Sequence, residues 1–258
     1  MRLPLSVTVI TLNEERNLGR CLKAIADIAA EIVVVDSGST DRTAEIAASF
    51  GATFVFNQWS GFNPQREFGA QHCTQPWILA LDADEEVSDE LRAALIQAIG
   101  HGDTPHAGFA FSRRTFYLGA WIWHVWYPEW RLRLYRRDRA RWVGEEPHGC
   151  CEVDGSTLRV KGDLLHYSFR NLTEHLSKTL GYARTSAAIA HARGKRFNGW
   201  RMVTGALFRV FRDVVLKSGW RDGWRGVLIA MIGGYSSFAK QAFLYEAELE
   251  AKKDDGQP

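Results

Sequence analysis

The chain has 258 residues, of which 46% are hydrophobic and 24% are charged, and its formal net charge is +2. These values are ordinary for a soluble globular protein, and so small a net charge leaves any electrostatic signal to local clusters. The four cysteines include no C-x-x-C pair, which excludes a zinc pattern and a disulfide framework and favours a reducing cytosol.

The sequence carries no strong signal for a membrane span or a secretion leader. No uninterrupted apolar run reaches the ~20 residues that a spanning helix needs. The chain enters its first apolar run, Leu5–Ile10, without a charged leader. We therefore expect a cytoplasmic protein.

The first hundred residues alternate predicted strands and predicted helices. Each apolar, β-branched run ends abruptly in polar residues and is followed by apolar residues at helical spacing. Asn13, Asn63 and Ser88 stand where helix caps are expected, and Gly51 stands where a left-handed residue would end a helix. The alternation indicates a Rossmann-like, mostly parallel α/β sheet with right-handed crossovers. The predicted strands are 5–11, 32–35, 53–56 and 77–81.

Polar clusters follow the first, second and fourth predicted strands, at 11–14, 36–39 and 82–84. Ligands of open α/β sheets bind beyond the carboxyl ends of the strands, so the clusters predict one nucleotide-type site. Asp36 can accept hydrogen bonds from a base or a ribose, and Asp82 with Asp84 can hold a hard divalent cation. Each cluster alone also fits a helix cap, a turn or a solvated strand end. The motifs of dinucleotide-binding and P-loop proteins are absent from the sequence.

Four stretches carry a resemblance to a known family: VTVITLNEERNL, EIVVVDSGSTDRT, NPQREFGAQ and WILALDADEEV. Together they resemble the inverting GT-A glycosyltransferases of the large family 2 type. Within that family they resemble the small bacterial β-glucosyltransferases that extend the lipopolysaccharide core. The resemblance is dense over the first hundred residues and looser to about residue 170. It implies the GT-A fold, a nucleotide-sugar donor that is usually UDP-linked, and a Mg²⁺ or Mn²⁺ ion.

The resemblance also implies roles for individual residues. Thr11 and Asp36 would contact the uracil, and Arg66 would lie near the base or the diphosphate. Asp82 would face the ribose and the sugar, and Asp84 would bind the metal. The other residues expected in the donor site are Asn13 and Glu14.

Inverting transfer needs a carboxylate that takes the proton of the acceptor hydroxyl. In the family this acid lies just ahead of an arginine-bearing segment, and Glu129 matches that position. Glu145 and Glu146 are competing candidates. Many relatives have His-Glu where this chain has His148 followed by Gly149, so the chain departs from the family pattern there.

A late histidine is a further candidate metal ligand. Leu164–His166 is a strand-like run that ends in the histidine. In GT-A enzymes a histidine at this place often completes the metal shell, so the resemblance implies that role for His166. Imidazole is an acceptable ligand for Mn²⁺, and a structural histidine on a strand is the alternative.

The second half of the chain is expected to hold the acceptor side and a helical tail. Residues 117–128 are dense in aromatics and fit either a hydrophobic plug or a sugar-stacking flap. Residues 130–136 alternate as a strand, with their arginines on the outer face. From Asn171 the pattern becomes helical. We therefore predict a GT-A catalytic domain over 1–170 and a helical C-terminal extension over 171–258.

The predicted extension has a local charge excess. Lys195 to Arg225 hold eight basic residues against two acidic ones, with tryptophans and an apolar stripe interleaved. This composition fits a helix that lies in a membrane interface, or else a bundle helix with a solvated basic face. No nucleic-acid module supports the charge, so we expect no nucleic acid partner.

These features predict metal-dependent, inverting transfer of a hexose, with glucose expected, from a UDP-sugar to a saccharide acceptor. The acceptor is expected on a lipid-anchored glycan such as lipopolysaccharide core, with peripheral contact between the protein and the membrane. Two alternatives stay open. One is a haloacid-dehalogenase-like phosphatase that uses the first aspartate of the D-x-D, although that motif belongs on a first strand. The other is a non-catalytic nucleotide-binding protein.

Overall fold

The computed structural model describes residues 2–100, 102, 104–144 and 149–254. The chain divides into two compact units. The sheet unit comprises Met1–Thr115 and Pro128–Tyr167, and the helical unit comprises Phe116–Tyr127 and Ser168–Pro258. This division differs from the expected boundary at residue 170, because the aromatic segment that was expected within the first domain belongs to the helical unit.

The elements alternate in the first part of the chain and become helical in the last. The strands are β1 Leu3–Thr11, β2 Ala29–Asp36, β3 Thr53–Phe56, β4 Trp77–Asp82, β5 Glu85–Val87, β6 Gly108–Tyr117, β7 Ala120–Trp121, β8 Glu129–Arg136, β9 Ala140–Val143, β10 Cys150–Val153 and β11 Thr157–His166. The α-helices are α1 Leu18–Lys23, α2 Thr43–Ser49, α3 Phe62–Gln71, α4 Asp89–Ile99, α5 Leu172–Ala192, α6 Gly199–Phe211 and α7 Gly223–Asp254.

The sheet unit is organised around a mixed sheet with the strand order β3-β2-β1-β4-β8-β6-β11-β5. β1 pairs in parallel with β2 and β4, and β2 pairs in parallel with β3. β8 enters between β4 and β6 and is antiparallel to both. The expected Rossmann-like, mostly parallel α/β architecture with a helical C-terminal extension is confirmed. β9 and β10 form a separate antiparallel pair.

Local sequence signals explain some helix ends and not others. The side chain of Ser88 accepts a hydrogen bond from the Leu91 N–H at 3.2 Å, so α4 begins as expected. Gly51 has a φ of +67°, the left-handed conformation expected just beyond α2. Two expected caps are wrong. The N-cap position of α1 is Asn17 rather than Asn13, and Asn63 lies inside the first turn of α3.

Helices on both faces of the sheet bury its apolar residues. β1 and β4 alternate their side chains between two clusters, which place Val9 and Leu79 on one face and Ile10 and Ile78 on the other. Complete burial of one such side chain contributes about 1.5–3 kcal/mol. α3 lies very close to β1 because its Gly69 has no side chain; a Cβ there would lie 2.2 Å from Thr8 Oγ1.

In the helical unit, α5 and α6 both pack against α7. α5 begins at Asn171, whose side chain accepts a hydrogen bond from the Glu174 N–H at 2.9 Å. α6 continues into a π-helical turn, Arg212–Leu216. Among the described residues, one helical stretch, Gly219–Lys252, is long and apolar enough to cross a membrane, by length and composition alone.

The aromatic segment 116–127 is built into the core of the helical unit. Tyr117, Ile122 and Val125 are buried together with Ile229 of α7. The carboxylate of Asp222 accepts hydrogen bonds from the backbone N–H groups of the segment at 2.9–3.0 Å. These buried residues fit the plug interpretation of the segment. The donating N–H groups are those of Trp123, His124 and Val125.

Candidate active site

The carboxyl ends of β1, β2 and β4 lie side by side at one edge of the sheet unit. Thr11 is in register with Asp36, and Ile10 is in register with Asp82. The three polar clusters predicted from the sequence therefore stand at the ends of adjacent strands.

The loop after β2 is organised by the carboxylate of Asp36. Its Oδ2 accepts hydrogen bonds from the N–H groups of Gly38 and Ser39, both at 2.8 Å, and its Oδ1 accepts from the Ser39 hydroxyl. Gly38 adopts a φ of +104°, which a side chain would disfavour. These bonds match the turn role that the sequence left open for this cluster, and the carboxylate keeps acceptor capacity because it offers about four lone-pair positions.

The loop after β1 is joined to the same turn. The Asn13 N–H donates to Ser39 Oγ at 2.7 Å, and Asn13 Oδ1 accepts from the Thr40 N–H at 2.9 Å. The Glu14 N–H donates to Thr43 Oγ1 at 2.9 Å. Asn13 and Glu14 therefore hold the two loops against each other, which accounts for their positions independently of any ligand.

Thr11 differs from its neighbours because its hydroxyl has no protein partner. The residue is 6% exposed, and its Oγ1 is buried without a hydrogen bond. An unsatisfied buried polar atom costs about 1–3 kcal/mol. A ligand that hydrogen-bonds Thr11 at this edge would relieve that cost.

Two arginines hold the Asp82 carboxylate. Arg66 binds Oδ1 at 2.7 Å, and Arg133 binds Oδ2 at 2.8 Å. Burial raises the pKa of Asp82, but the charges of Arg133 and Arg66 lower it by much more, so the carboxylate is ionised at neutral pH. Asp82 is thus a fixed anchor for both arginines.

Glu85 completes this network and was missed in the sequence analysis. Its side chain is 0% exposed and pairs with Arg133 at 3.0 Å and with Arg113 at 3.3 Å. Its Oε2 also accepts the Asp82 N–H at 2.9 Å. The sequence around Glu85 does not predict that it pairs with these arginines. Arg113 and Arg133 lie on strands that are brought to the site only by the order of strands in the sheet.

The expected outward orientation of the arginines on β8 is wrong for Arg133, which is 4% exposed. A strand with one solvated face alternates buried and exposed residues, but β8 lies between β4 and β6 and is covered on both faces over its last half. The alternation of residues along β8 therefore shows which face of the strand carries the arginines, but it does not show that this face is exposed to solvent.

Asp84 and His166 form a pair beside this network. Nε2 of His166 lies 3.4 Å from Oδ2 of Asp84. β5 pairs with β11 so that His166 is opposite Glu85, and the Tyr167 N–H donates to the Asp84 carbonyl at 2.9 Å. Burial raises the pKa of Asp84, but the charge and hydrogen bond of His166 lower it by more.

The Asp84–His166 pair fits a divalent cation as a partial donor set. A carboxylate oxygen and an imidazole nitrogen suit Mn²⁺, and Mg²⁺ accepts few protein ligands alongside water and phosphate oxygens. Within the described ranges no three His, Cys, Asp or Glu side chains gather into a metal-binding group. Among the described residues, the pair therefore supplies only part of the ligand set that a divalent cation needs.

Glu129, the first candidate for the base, is ion-paired to two arginines. Arg113 Nε lies 2.8 Å from Oε2, and Arg131 binds Oε1. Burial raises the pKa of Glu129, but Arg113 and Arg131 lower it to about 2. A carboxylate so stabilised is a weak proton acceptor until one arginine moves away. The competing candidates, Glu145 and Glu146, and the neighbouring His148 lie outside the described residues.

Comparison with known proteins identifies the family. Residues 6–159 match the model of glycosyl transferase family 2, and the chain belongs to this family. It is 31% identical over 257 residues to the lipopolysaccharide core biosynthesis glycosyltransferase LpsC of Rhizobium meliloti, covering 95% of this chain and 93% of that protein. It is 26% identical to an uncharacterized glycosyltransferase of Rickettsia typhi, over 96% of this chain and 89% of that one.

Among solved structures, S. aureus TarS 1–349 aligns with all of this chain and 92% of its own, at 15% identity and a TM-score of 0.45. Glucosyl-3-phosphoglycerate synthase of Mycobacterium tuberculosis aligns over 45% of each chain, at 21% identity and a TM-score of 0.35. Family membership confirms the predicted family, the GT-A fold and the transferase class. It also decides against the phosphatase alternative, in agreement with an Asp82 whose two carboxylate oxygens both bind arginines.

Proposed function

We propose that the protein transfers a hexose from a UDP-sugar to a saccharide acceptor on a lipid-anchored glycan, with inversion at the anomeric carbon. One observation carries the proposal: the Asp84–His166 pair, 3.4 Å apart, stands at the edge where three polar strand ends meet. A cation donor set beside a cradle of hydrogen-bonding loops is suited to a sugar diphosphate.

The donor would lie along the ends of β1 and β2. The buried Thr11 hydroxyl has no protein partner, and Asp36 retains acceptor capacity toward a uracil imino group. Arg66 keeps an Nε that is buried without a hydrogen bond, so it could donate to the base or diphosphate while its other nitrogen holds Asp82. Asn13 and Glu14 would contribute by fixing the loop that carries these contacts.

Asp84 and His166 would hold a Mg²⁺ or Mn²⁺ ion. Such an ion stabilises the negative charge that develops on a departing diphosphate. The arginine network behind the pair has a separate role, because Asp82 and Glu85 bind Arg133 and so fix the strand end that presents Asp84.

Glu129 is the proposed base that takes the proton of the acceptor hydroxyl. Its two arginine contacts keep it ionised and oriented, but they also weaken its basicity. We propose that the acceptor displaces Arg131, which is the more exposed of the two arginines, so that the pKa of Glu129 rises on binding.

The acceptor is proposed from the similarity to the lipopolysaccharide core biosynthesis glycosyltransferase of Rhizobium meliloti. A lipid-anchored glycan of that class would place the reaction at the cytoplasmic face of a membrane, as the sequence predicts. Glucose as the transferred sugar belongs to the same proposal.

The experiment that tests this function is calorimetric titration of UDP, with and without Mn²⁺, combined with thermal unfolding. At a hundredfold excess of UDP over its Kd, the stability should rise by about 2–3 kcal/mol. Asp84→Asn should remove the Mn²⁺-dependent part of the affinity for UDP. Asp89→Asn is the matched control, since Asp89 is an exposed aspartate on α4, and it should bind like the wild type.

Two results would contradict the proposal. Absence of UDP binding by the wild-type protein, with or without Mn²⁺, would refute the donor assignment. Equal loss of binding in Asp84→Asn and Asp89→Asn would show that the effect is not specific to the strand end.

A further inference from the structure

The helical unit exposes an apolar stripe along most of α7. Exposed large apolar residues recur at intervals of three, four or seven positions, so they lie on one side of the helix. The stripe extends over about 38 Å, at 1.5 Å per residue. Isolated exposed apolar residues are normal, but a contiguous stripe of this length indicates an interaction surface. Its members are Trp224, Val227, Met231, Tyr235, Phe238, Tyr245 and Leu249.

α6 and the π-helical turn carry a second stripe. No residue of α6 is buried, and Trp200 at its start is 78% exposed, while Leu207 is 65% exposed. The amphipathic pattern is that of a helix with no protein covering its apolar side. The exposed apolar residues here are Trp200, Val203, Leu207, Phe208, Phe211, Val215 and Leu216.

The two stripes face the same way. α6 and α7 are antiparallel, because Asn198 bonds Gln241 while a Cβ on Gly234 would meet Val210. At about 100° per residue, each stripe is rotated by roughly 100–140° from the line of contact between the helices. In two right-handed antiparallel helices, rotations of the same sense bring both stripes to one side of the pair. We call this side the apolar face.

The charges around the apolar face are of one sign as far as Lys240; beyond it, the exposed Glu246 and Glu250 flank Tyr245 and Leu249 at the C-terminal end of the stripe. Every exposed charged residue from Arg193 to Lys240 is cationic, and the two acids in that stretch are occupied. Asp213 is 2% exposed and binds Arg209 at 2.6 Å and Arg212 at 2.7 Å. Asp222 accepts the hydrogen bonds of the aromatic segment. The exposed cations are Arg193, Lys195, Arg196, Arg201, Lys217 and Arg221.

We propose that the apolar face docks onto an anionic lipid bilayer. Tryptophan is enriched at the headgroup level of membranes, where its ring is apolar and its N–H is wet. Trp200, Trp220 and Trp224 supply three such rings, and the surrounding cations complement anionic headgroups. A second copy of the same face is disfavoured as occupant because, over the part between Arg193 and Lys240, it would oppose the cations of one copy to those of the other. A nucleic acid would leave the aliphatic side chains unburied.

The geometry also favours lying in the interface over spanning the bilayer. α7 is the candidate span among the described residues, and α5 and α6, against which it packs, do not meet the same criterion. α7 buries Ile229, Ala230 and Ile232 against the rest of its unit, so its apolar surface toward lipid is one-sided. A one-sided apolar face is typical of interfacial helices.

The experiment is co-sedimentation of the full chain with vesicles of phosphatidylcholine alone and of phosphatidylcholine with 30 mol% phosphatidylglycerol (about one anionic lipid in three). Binding to the anionic vesicles should be at least tenfold tighter, weaken with salt and shift tryptophan emission to the blue. Equal binding to the two kinds of vesicle, or no binding to either, would overturn the proposal. Docking rests on the proposed lipid-anchored acceptor, but the assay contains no sugar, so its failure leaves the UDP result untouched.

Paired variants separate the contribution of the cations to docking from that of the apolar side chains. Arg201→Glu with Arg221→Glu removes two exposed cations, and each contributes about fivefold in affinity near an anionic surface. The double variant should therefore bind anionic vesicles at least ~25-fold more weakly. Its control is Lys23→Glu with Lys161→Glu, which makes the same charge change at exposed residues of the sheet unit and should bind like the wild type. Equal losses in both pairs would overturn a localised face.

The apolar contribution is tested by Leu207→Gln with Phe208→Gln. This variant should lose the blue shift and at least tenfold in affinity, whereas Ile96→Gln with Leu158→Gln, exposed in the sheet unit, should retain both.

Sedimentation velocity without lipid tests whether a second copy of the protein covers the apolar face instead. A wild-type dimer that Leu207→Gln with Phe208→Gln converts to a monomer would overturn docking in favour of self-association. Resistance of vesicle-bound protein to alkaline extraction would overturn it in favour of a spanning helix.

Discussion

In the sheet unit, buried charges are assembled from distant parts of the chain, whereas in the helical unit a buried charge is neutralised by its sequence neighbours. Asp82 and Glu85 bind Arg133, which lies far along the chain and arrives on an intervening strand. Asp213 binds Arg209 and Arg212, within one turn of itself. The first arrangement depends on the whole sheet; the second can form as soon as its helix does.

The difference has a functional counterpart. A network held by several strands keeps carboxylates in place while leaving Asp84 and Glu129 partly accessible, which a reaction requires. The carboxylate of Asp213 is not accessible in this way. It also neutralises the charge of Arg209 and Arg212, which the sequence alone assigned to the surface. The arginines that matter for docking are therefore the exposed ones that do not bind Asp213, such as Arg201 and Arg221.

The largest expected effect is on turnover. Glu129→Gln keeps the shape and most hydrogen bonds of the side chain but removes the proton acceptor, so kcat should fall by ~10²–10⁴. UDP affinity, measured by calorimetry, should be retained. A near-normal kcat would move the assignment of the base to Glu145 or Glu146. Retention of the donor's anomeric configuration in the product would refute single displacement.

The comparison between the two charge clusters predicts unequal stability losses. Glu85→Gln leaves the buried Arg133 and the partly buried Arg113 with one fewer anion and should lower the free energy of unfolding by about 3–5 kcal/mol. Asp213→Asn should cost less, because its partners are more exposed and can turn to water. Urea unfolding measures both, and an equal or larger loss for Asp213→Asn would contradict the distinction.

Acidification should weaken the helical unit before the sheet unit. Burial lowers the pKa of His175 to about 4 from an ordinary value of 6.5, so its stabilisation is complete above pH 6.5 and is lost as the pH falls toward 4. Linkage then gives a loss of about 2 kcal/mol between pH 7 and pH 5. The pKa of Glu129 is depressed from 4.5 to about 2, so its contribution is lost only below that window.

The check is urea unfolding at pH 7, 6 and 5 for the wild type and His175→Gln. Glutamine can still pair with the Tyr117 hydroxyl, which lies 2.7 Å from His175 Nδ1, but it does not titrate. The variant should therefore lose most of the pH dependence in this window. If the free energy of unfolding of His175→Gln changed with pH as much as that of the wild type, the pH dependence would belong to another group.

The smallest expected effect concerns helix packing. A Cβ on Gly234 would lie 2.5 Å from Val210 Cγ2, whereas a Cβ on Gly181 of α5 would meet nothing within 4 Å. Gly234→Ala should therefore destabilise the protein by about 1–2 kcal/mol through overpacking. Gly181→Ala should stabilise it by about 0.5–1 kcal/mol, because alanine is the better helix former. Thermal unfolding decides, and stabilisation by both substitutions would show that α6 and α7 can separate at no cost.

The sequence by itself determined the alternation of the main strands and helices in the first hundred residues, the polar strand ends and the family. These depend on short-range signals: apolar runs too short for helices, a helix cap at Ser88, and motifs within single segments. The placement of Thr11, Asp36 and Asp82 at one edge followed as well, because parallel strands align their carboxyl ends.

Tertiary structure alone decided which charges are buried and which segments share a core. Glu85 and Arg133 meet because β8 enters between β4 and β6, and the aromatic segment joins the helical unit through Asp222. Local periodicity carries no information about which strand will become a neighbour, so it misplaced Arg133 of β8. Likewise, eight basic and two acidic residues can be counted along the sequence between Lys195 and Arg225. Only the fold shows that Asp213 is buried among its arginines, because burial and pairing depend on contacts that composition does not encode.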